Sequence, residues 1–236
     1  MKTVVPAWDL PAVPVEGTEA RFPVRHVYCV GRNYAEHAAE MGGDATKEPP
    51  FFFMKAADTI LPVARGEVGR MAYPQATKSL HHEVELVVAI GERGADFDAP
   101  DALRHVFGYA VGLDMTRRDP QAAAKESRRP WDMGKSFAQA APIGPIHPVS
   151  AGGHRSRGAI TLDVNGARRQ TGDLRDMIWD VAHTLAFLSK LYELLPGDLV
   201  FTGTPAGVGA VVAGDRLDAR VEGLAPLAVT IVPARG

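Results

Sequence analysis

Short apolar runs punctuated by Gly and Pro dominate this chain, and few stretches carry helical spacing. The runs Val27–Val30, Glu83–Ile90, Val106–Asp114, Ile160–Val164, Leu199–Thr202 and Ala228–Val232 are bounded by turn residues and predict strands. Asn165 followed by Gly166 predicts a hairpin turn. Two segments predict helices. One starts near Asn33, which can cap it with Glu36 three residues on, and stops at Gly42 and Gly43. The other covers 176–194, where Ile178, Val181, Leu185, Leu188 and Leu191 recur at helical spacing before Pro196 and Gly197. Shorter helical turns are expected over 101–105 and 121–126. Strands outnumber helices and do not alternate with them. The pattern therefore predicts a mainly β (α+β) fold, with a mixed or antiparallel sheet and a few peripheral helices, over a doubly wound sheet. Residues 1–21 lack a sustained period and read as an N-terminal extended segment; 22–236 read as one domain.

Composition narrows the partners. A chain of 236 residues can bury one sizeable core without staples. A formal net charge of -2 and a pI near 6.4 offer no basic field for a nucleic acid or an anionic membrane. Cys29 has no second cysteine to pair with and sits in an apolar run, which suits a small core residue in a reducing, cytoplasmic setting. The first apolar stretch, broken by Pro6 and Asp9, is too short for a signal peptide. Residues 136–154 lack Asp, Glu, Lys and Arg, yet Pro142, Pro145, Pro148 and three glycines argue against a membrane helix.

The sharpest chemical signal is His81-His82-Glu83-Val84-Glu85, which opens a strongly apolar strand. Alternate strand residues share a face, so Glu83 and Glu85 point the same way with Cα atoms about 6.5 to 7 Å apart. Two parallel anions beside an apolar strand are costly to desolvate unless a cation lies between them. A solvated strand end is the plain alternative. Asp114, closing another apolar strand, supplies a third carboxylate. Three oxygen donors without cysteine suit a hard cation, Mg²⁺ first, then Mn²⁺ or Ca²⁺, ahead of zinc. His37 and Glu40 lie three apart on the short helix, where a carboxylate can orient an imidazole as general base. Lys55 follows the apolar run Phe51–Met54, and Lys135 lies between Gly134 and Ser136. Arg117, Arg118, Lys125, Arg128 and Arg129 read either as a solvated loop or as a grip on an anionic substrate. The Gly-rich turn 202–209 matches no phosphate loop, and suits either a tight turn or close backbone approach to a ligand.

Taken in order, Gly31-Arg32-Asn33-Tyr34, His37 and Glu40, His81–Leu86, Leu113–Thr116 with Arg118 and Asp119, Lys135–Phe137 and Thr202–Gly209 resemble the fumarylacetoacetate hydrolase superfamily, across about residues 22 to 234. Segments 48–58, 81–90 and 117–133 are most similar to its fumarylpyruvate hydrolases, with acylpyruvate hydrolases close behind. The resemblance implies a mixed β-sandwich roll forming a catalytic domain, usually a homodimer, with metal held at Glu83, Glu85 and Asp114. It implies that His37 and Glu40 activate water, that Lys135 and Lys55 stabilise developing negative charge, and that Arg32, Tyr34, Arg118, Gln121 and Thr204 contact substrate. Two positions depart from the superfamily pattern: Ala56 stands where Pro is usual, and Gly134 where Ala is usual. The expected activity is metal-dependent hydrolysis of a C–C bond in a small 2,4-diketo acid, fumarylpyruvate giving fumarate and pyruvate. The alternatives are an acylpyruvate hydrolase, an oxaloacetate decarboxylase, a 2-hydroxymuconate-type keto-enol isomerase, or a non-enzymatic metal-dependent organic-acid-binding protein.

Overall fold

The computed structural model describes residues 3–36 and 49–234. An eight-stranded mixed sheet forms the centre. Its main path runs Phe51–Lys55, Val27–Gly31, Leu199–Phe201, Val84–Ile90, Val106–Leu113, Ala141–Ile143 and Ile60–Pro62, and His147–Pro148 also pairs with Val106–Leu113. The two edge strands of that path are joined through only residues 56–59. Laid flat, six strand spacings would separate the edges by about 29 Å, whereas such a link spans at most about 17 Å. The sheet must curl, and the predicted mixed β roll is the result. A second sheet of five strands, Ala167–Asp173, Ala159–Val164, Arg216–Val221, Leu227–Val232 and Val68–Ala72, packs against it. A small third sheet orders Thr116–Arg117, Leu80–His82 and Gly209–Val211.

Val84–Ile90 is buried along its whole length because both its faces are covered. Val84, Leu86, Val88 and Ile90 join the larger apolar cluster, with Leu162, Leu217 and Val229 of the five-stranded sheet. Val87 and Ala89 face the other way, toward Val27, Cys29, Ala110 and Phe201. Glu83 and Glu85 share this second face by strand alternation. The N-terminal segment reaches the same side: Ala12–Pro14 pairs with Arg21–Pro23 and buries Val13 beside Phe22.

Most predicted elements appear with small boundary shifts. Asn165 and Gly166 both take positive φ, 52° and 78°, as the hairpin between Ala159–Val164 and Ala167–Asp173 requires. The long helix is shorter than its periodicity suggests, Val181–Leu191. Its start is displaced because Ile178 and Trp179 donate their N–H groups to the backbone carbonyl and side chain of Asn33, and Asp180 then caps the helix by accepting from His183 N–H at 2.9 Å. Asn33 was expected to cap a helix that, from residue 37 on, lies outside the described residues; it also holds three chain segments together, its amide donating to the carbonyls of Trp179 and Thr202, both at 2.8 Å. The polar strand Ala167–Asp173 and the strand Phe51–Lys55 were not anticipated. Among the described residues, no helix is long and apolar enough to cross a membrane.

Candidate active site

The ends of two central strands bring the carboxylates together. Glu83 and Glu85 flank the first residue of Val84–Ile90. Val84 pairs with Leu113 and Glu85 with Gly112, and the next ladder bond runs from Asp114 N–H to the Glu83 carbonyl at 2.8 Å. Asp114 is therefore abreast of Glu83 on the neighbouring strand. One carboxylate oxygen from each of Glu83, Glu85 and Asp114 lies within 4.8 Å of the others, and all three residues are buried.

Two lysines offset this charge from different sides. The Lys135 ammonium bridges Glu83 at 2.7 Å and Asp114 at 2.6 Å. Lys55 approaches Asp114 Oδ1 at 2.7 Å and also donates to the carbonyls of Met115 and Lys135. Burial disfavours the charge on Lys135, but Asp114 and Glu83 outweigh it and hold its pKa above the ordinary lysine range. Glu85 meets neither lysine directly; burial, then Asp114 and Glu83, push its pKa well above the usual carboxylate range. Its relief comes from Gly203, whose backbone N–H donates to Glu85 at 2.7 Å. Gly203 takes φ 95°, and a Cβ there would fall 2.6 Å from Asn33 Cβ, so only glycine brings the amide in. The close-approach reading of the Gly-rich turn thus finds its partner in a carboxylate of the chain itself.

This donor set fits a hard divalent cation. Its carboxylates are buried and convergent, without sulfur or imidazole, and Asp114 Oδ1 receives no well-aligned hydrogen bond although Lys55 is near. A dication among them would reverse the repulsion that raises Glu85.

Above the carboxylates, Arg118 donates to Glu83 at 2.6 Å and to Gln121 at 2.7 Å, one helical turn apart on Arg118–Glu126. Thr204 also lines the cleft, and its hydroxyl accepts from Gln170 at 2.8 Å, which leaves the hydroxyl proton available to the cleft. Gln170 is fully buried and also accepts from Val84 N–H, hydrogen bonds to His82 Nδ1 and donates to the Pro205 carbonyl. It ties the acidic strand to the Gly-rich turn from behind.

Of the residues anticipated from sequence, Glu83, Glu85, Asp114, Lys135, Arg118, Gln121, Thr204 and Arg32 line one cleft. Lys55 stands behind Asp114, fully buried and outside the cleft lining. Tyr34 lines a neighbouring hollow with Glu36 and Pro205; burial and then Glu85 raise its pKa, and its buried hydroxyl has no hydrogen-bond partner among the described residues. His37 and Glu40 lie outside the described residues. The departures from the family pattern have local reasons: Ala56 keeps an N–H that donates to Ser136 at 2.9 Å, which proline could not, and a Cβ on Gly134 would press on Gln121 at 2.8 Å. The sequence reading did not single out Trp131, Phe51 and Phe53 as cleft walls, nor Gln170. Aromatic residues beside the basic run were a usable signal for the walls; nothing local marks Gln170 within its polar strand.

The family model for the fumarylacetoacetate (FAA) hydrolase C-terminal domain matches residues 26–232. The chain belongs to the fumarylacetoacetate hydrolase family. A fumarylpyruvate hydrolase of Ralstonia sp. is 44% identical over 81% of this chain and 97% of its own length. A mitochondrial oxaloacetate decarboxylase of Dictyostelium discoideum is 38% identical over 85% of this chain and 90% of its own. Among solved structures, fumarylpyruvate hydrolase from Pseudomonas aeruginosa in complex with Mn²⁺ and pyruvate is 51% identical, with a TM-score of 0.97 over 98% of this chain and 100% of that one. The acidic cleft described above thus belongs to a family of enzymes acting on small keto acids.

Proposed function

We propose that this chain is a metal-dependent hydrolase of 2,4-diketo acids that cleaves fumarylpyruvate to fumarate and pyruvate. The observation that carries the reading is the buried convergence of Glu83, Glu85 and Asp114 at the floor of a cleft also lined by Lys135, Arg118, Gln121 and Thr204. The Mn²⁺ and pyruvate held by the Pseudomonas relative support both the ion and the keto-acid end. Mg²⁺ is the favoured ion here, with Mn²⁺ or Ca²⁺ as substitutes. Glu83, Glu85 and Asp114 would hold it, and when bound it would supply Lewis-acid polarisation and charge neutralisation.

The chain's own groups do the rest. Arg118, with Gln121, orients the pyruvyl carboxylate by paired N–H donation, and Thr204 also donates. His37, oriented by Glu40, takes a proton from a water that attacks the C4 carbonyl. Lys135 donates to the oxyanion at C4. When that oxyanion collapses, the C3–C4 bond breaks and its electron pair passes to the pyruvate enolate, which is then protonated at C3. Lys55 pairs with Asp114 from behind and holds its carboxylate in place. The same reading takes the protein to be a cytoplasmic homodimer.

The test follows the ultraviolet absorbance of fumarylpyruvate, acetylpyruvate and oxaloacetate with Mg²⁺, with Mn²⁺ and with EDTA. Hydrolysis of fumarylpyruvate that EDTA abolishes, that Glu83→Ala removes together with bound metal, and that His37→Ala removes while metal stays, is the expected result. Oxaloacetate decarboxylation as the dominant turnover, unaffected by His37→Ala, would move the assignment toward the Dictyostelium relative's activity.

A further inference from the structure

Besides the three carboxylates, the cleft is lined by the aromatic rings of Phe51, Phe53 and Trp131 and by two cations, Lys125 and Arg32. The Phe51 and Trp131 rings meet edge to face at 5.3 Å between centroids, and Phe53 lies 6.1 Å from Trp131. The Lys125 ammonium sits 4.9 Å from the centre of the Trp131 ring, and the Arg32 guanidinium 5.8 Å from that of Phe51. Both cations line the cleft, and among the described residues neither has a carboxylate within ion-pair distance. Arg32 Nε is buried and has no hydrogen-bond partner among the described residues. The Arg32 backbone stands at φ 56°, a left-handed conformation uncommon outside glycine, so the fold accepts local strain where this side chain leaves the strand Val27–Gly31. Burial, and then Arg32, Arg118 and Lys135, lower the Lys125 pKa: the cations here repel one another. Unpaired donors gathered around an apolar slot are what an anionic ligand would relieve.

The geometry points to a second anion subsite in the cleft, in which Lys125 and Arg32 hold a carboxylate at the end of the acyl arm while Phe51, Phe53 and Trp131 clasp a flat, unsaturated chain. This inference rests on the proposed hydrolase reading and extends it. The favoured substrates are diketo acids whose acyl group is planar and carboxylate-terminated, and short neutral acyl groups are disfavoured. Lys125 is then a specificity residue: it touches the end of the substrate remote from the bond that breaks.

Two measurements on the metal-loaded protein test this, using the unaltered chain, Lys125→Gln and Lys125→Arg. The first is calorimetric binding of fumarate against crotonate, the same trans-unsaturated acid with a methyl group in place of one carboxylate. The second is kcat/KM for fumarylpyruvate against acetylpyruvate. Fumarate should bind more tightly than crotonate, and Lys125→Gln should weaken fumarate at least about tenfold while leaving crotonate nearly unchanged. Lys125→Arg should recover most of the loss, and fumarylpyruvate kcat/KM should follow fumarate binding while acetylpyruvate kcat/KM holds. Equal binding of the two acids, or a loss shared equally by both substrates, overturns the subsite while leaving the hydrolase reading standing. If no diketo acid is turned over, the hydrolase reading fails, yet a fumarate preference that depends on Lys125 would still establish the subsite.

Discussion

Lys135 reaches Asp114 over 2.6 Å with both side chains at most 3% exposed, and Arg93 reaches Glu193 over the same 2.6 Å with side chains 69% and 44% exposed. The bond lengths match, but the surroundings do not. On the surface, water screens the attraction and both groups stay solvated if the pair opens. The Lys135–Asp114 pair is buried, and loss of one partner strands the other where it is poorly solvated. The cleft therefore concentrates electrostatic stress in a few residues whose charges are balanced only collectively, whereas the surface pairs are individually dispensable.

The largest break in this contrast should come from Lys135→Met, which leaves Glu83 and Asp114 facing each other without their shared cation. The metal-free variant is expected to lose about 3–5 kcal/mol in urea unfolding. Saturating Mn²⁺ should recover much of that loss, because a dication takes over the missing charge. Gln170→Leu comes next. It leaves Val84 N–H and the Pro205 carbonyl buried without this partner and frees Thr204 to turn; a loss of about 1–3 kcal/mol on the same unfolding curve is expected.

Asp180→Ala tests a second exposed pair, one whose carboxylate also caps a helix. Burial pushes the Asp180 carboxyl upward, but the His183 backbone N–H and side chain outweigh it, so its folded pKa lies below the ordinary value. A depressed carboxylate pKa stabilises the fold above the unfolded pKa, and that contribution is lost as pH falls through the folded one. The alanine variant should be about 1 kcal/mol less stable at neutral pH, with the difference narrowing in acid. Arg93→Ala should leave the denaturation midpoint unmoved, and a clear shift there would show that length alone sets the worth of these pairs.

Legibility from sequence followed the same division. Strands such as Val84–Ile90 were readable because their apolar runs are dense, and Glu83 with Glu85 stood out as charge where burial was expected. Asp114 was recognisable as a strand-end carboxylate, and its register against Glu83 followed only once the two strands were paired. The curl of the central sheet, which brings Lys55 from an edge strand to Asp114, depends on long-range pairing that no local period encodes. Ala167–Asp173 was missed because one face is solvated and its single fully buried residue, Gln170, is polar. The long helix was over-extended because the apolar spacing continues through Ile178, where hydrogen bonds donated by the Ile178 and Trp179 N–H groups to the distant Asn33 hold the chain out of helical conformation.

The most direct test of the account is calorimetric Mn²⁺ titration of the unaltered chain and of Glu85→Gln, which keeps an oxygen to accept from Gly203 N–H while removing the charge. One Mn²⁺ per chain, bound at least about a hundredfold more weakly by the variant, is the predicted result, since losing a ligand should exceed the cost of losing a group that merely orients one. Unchanged Mn²⁺ affinity in Glu85→Gln would contradict it.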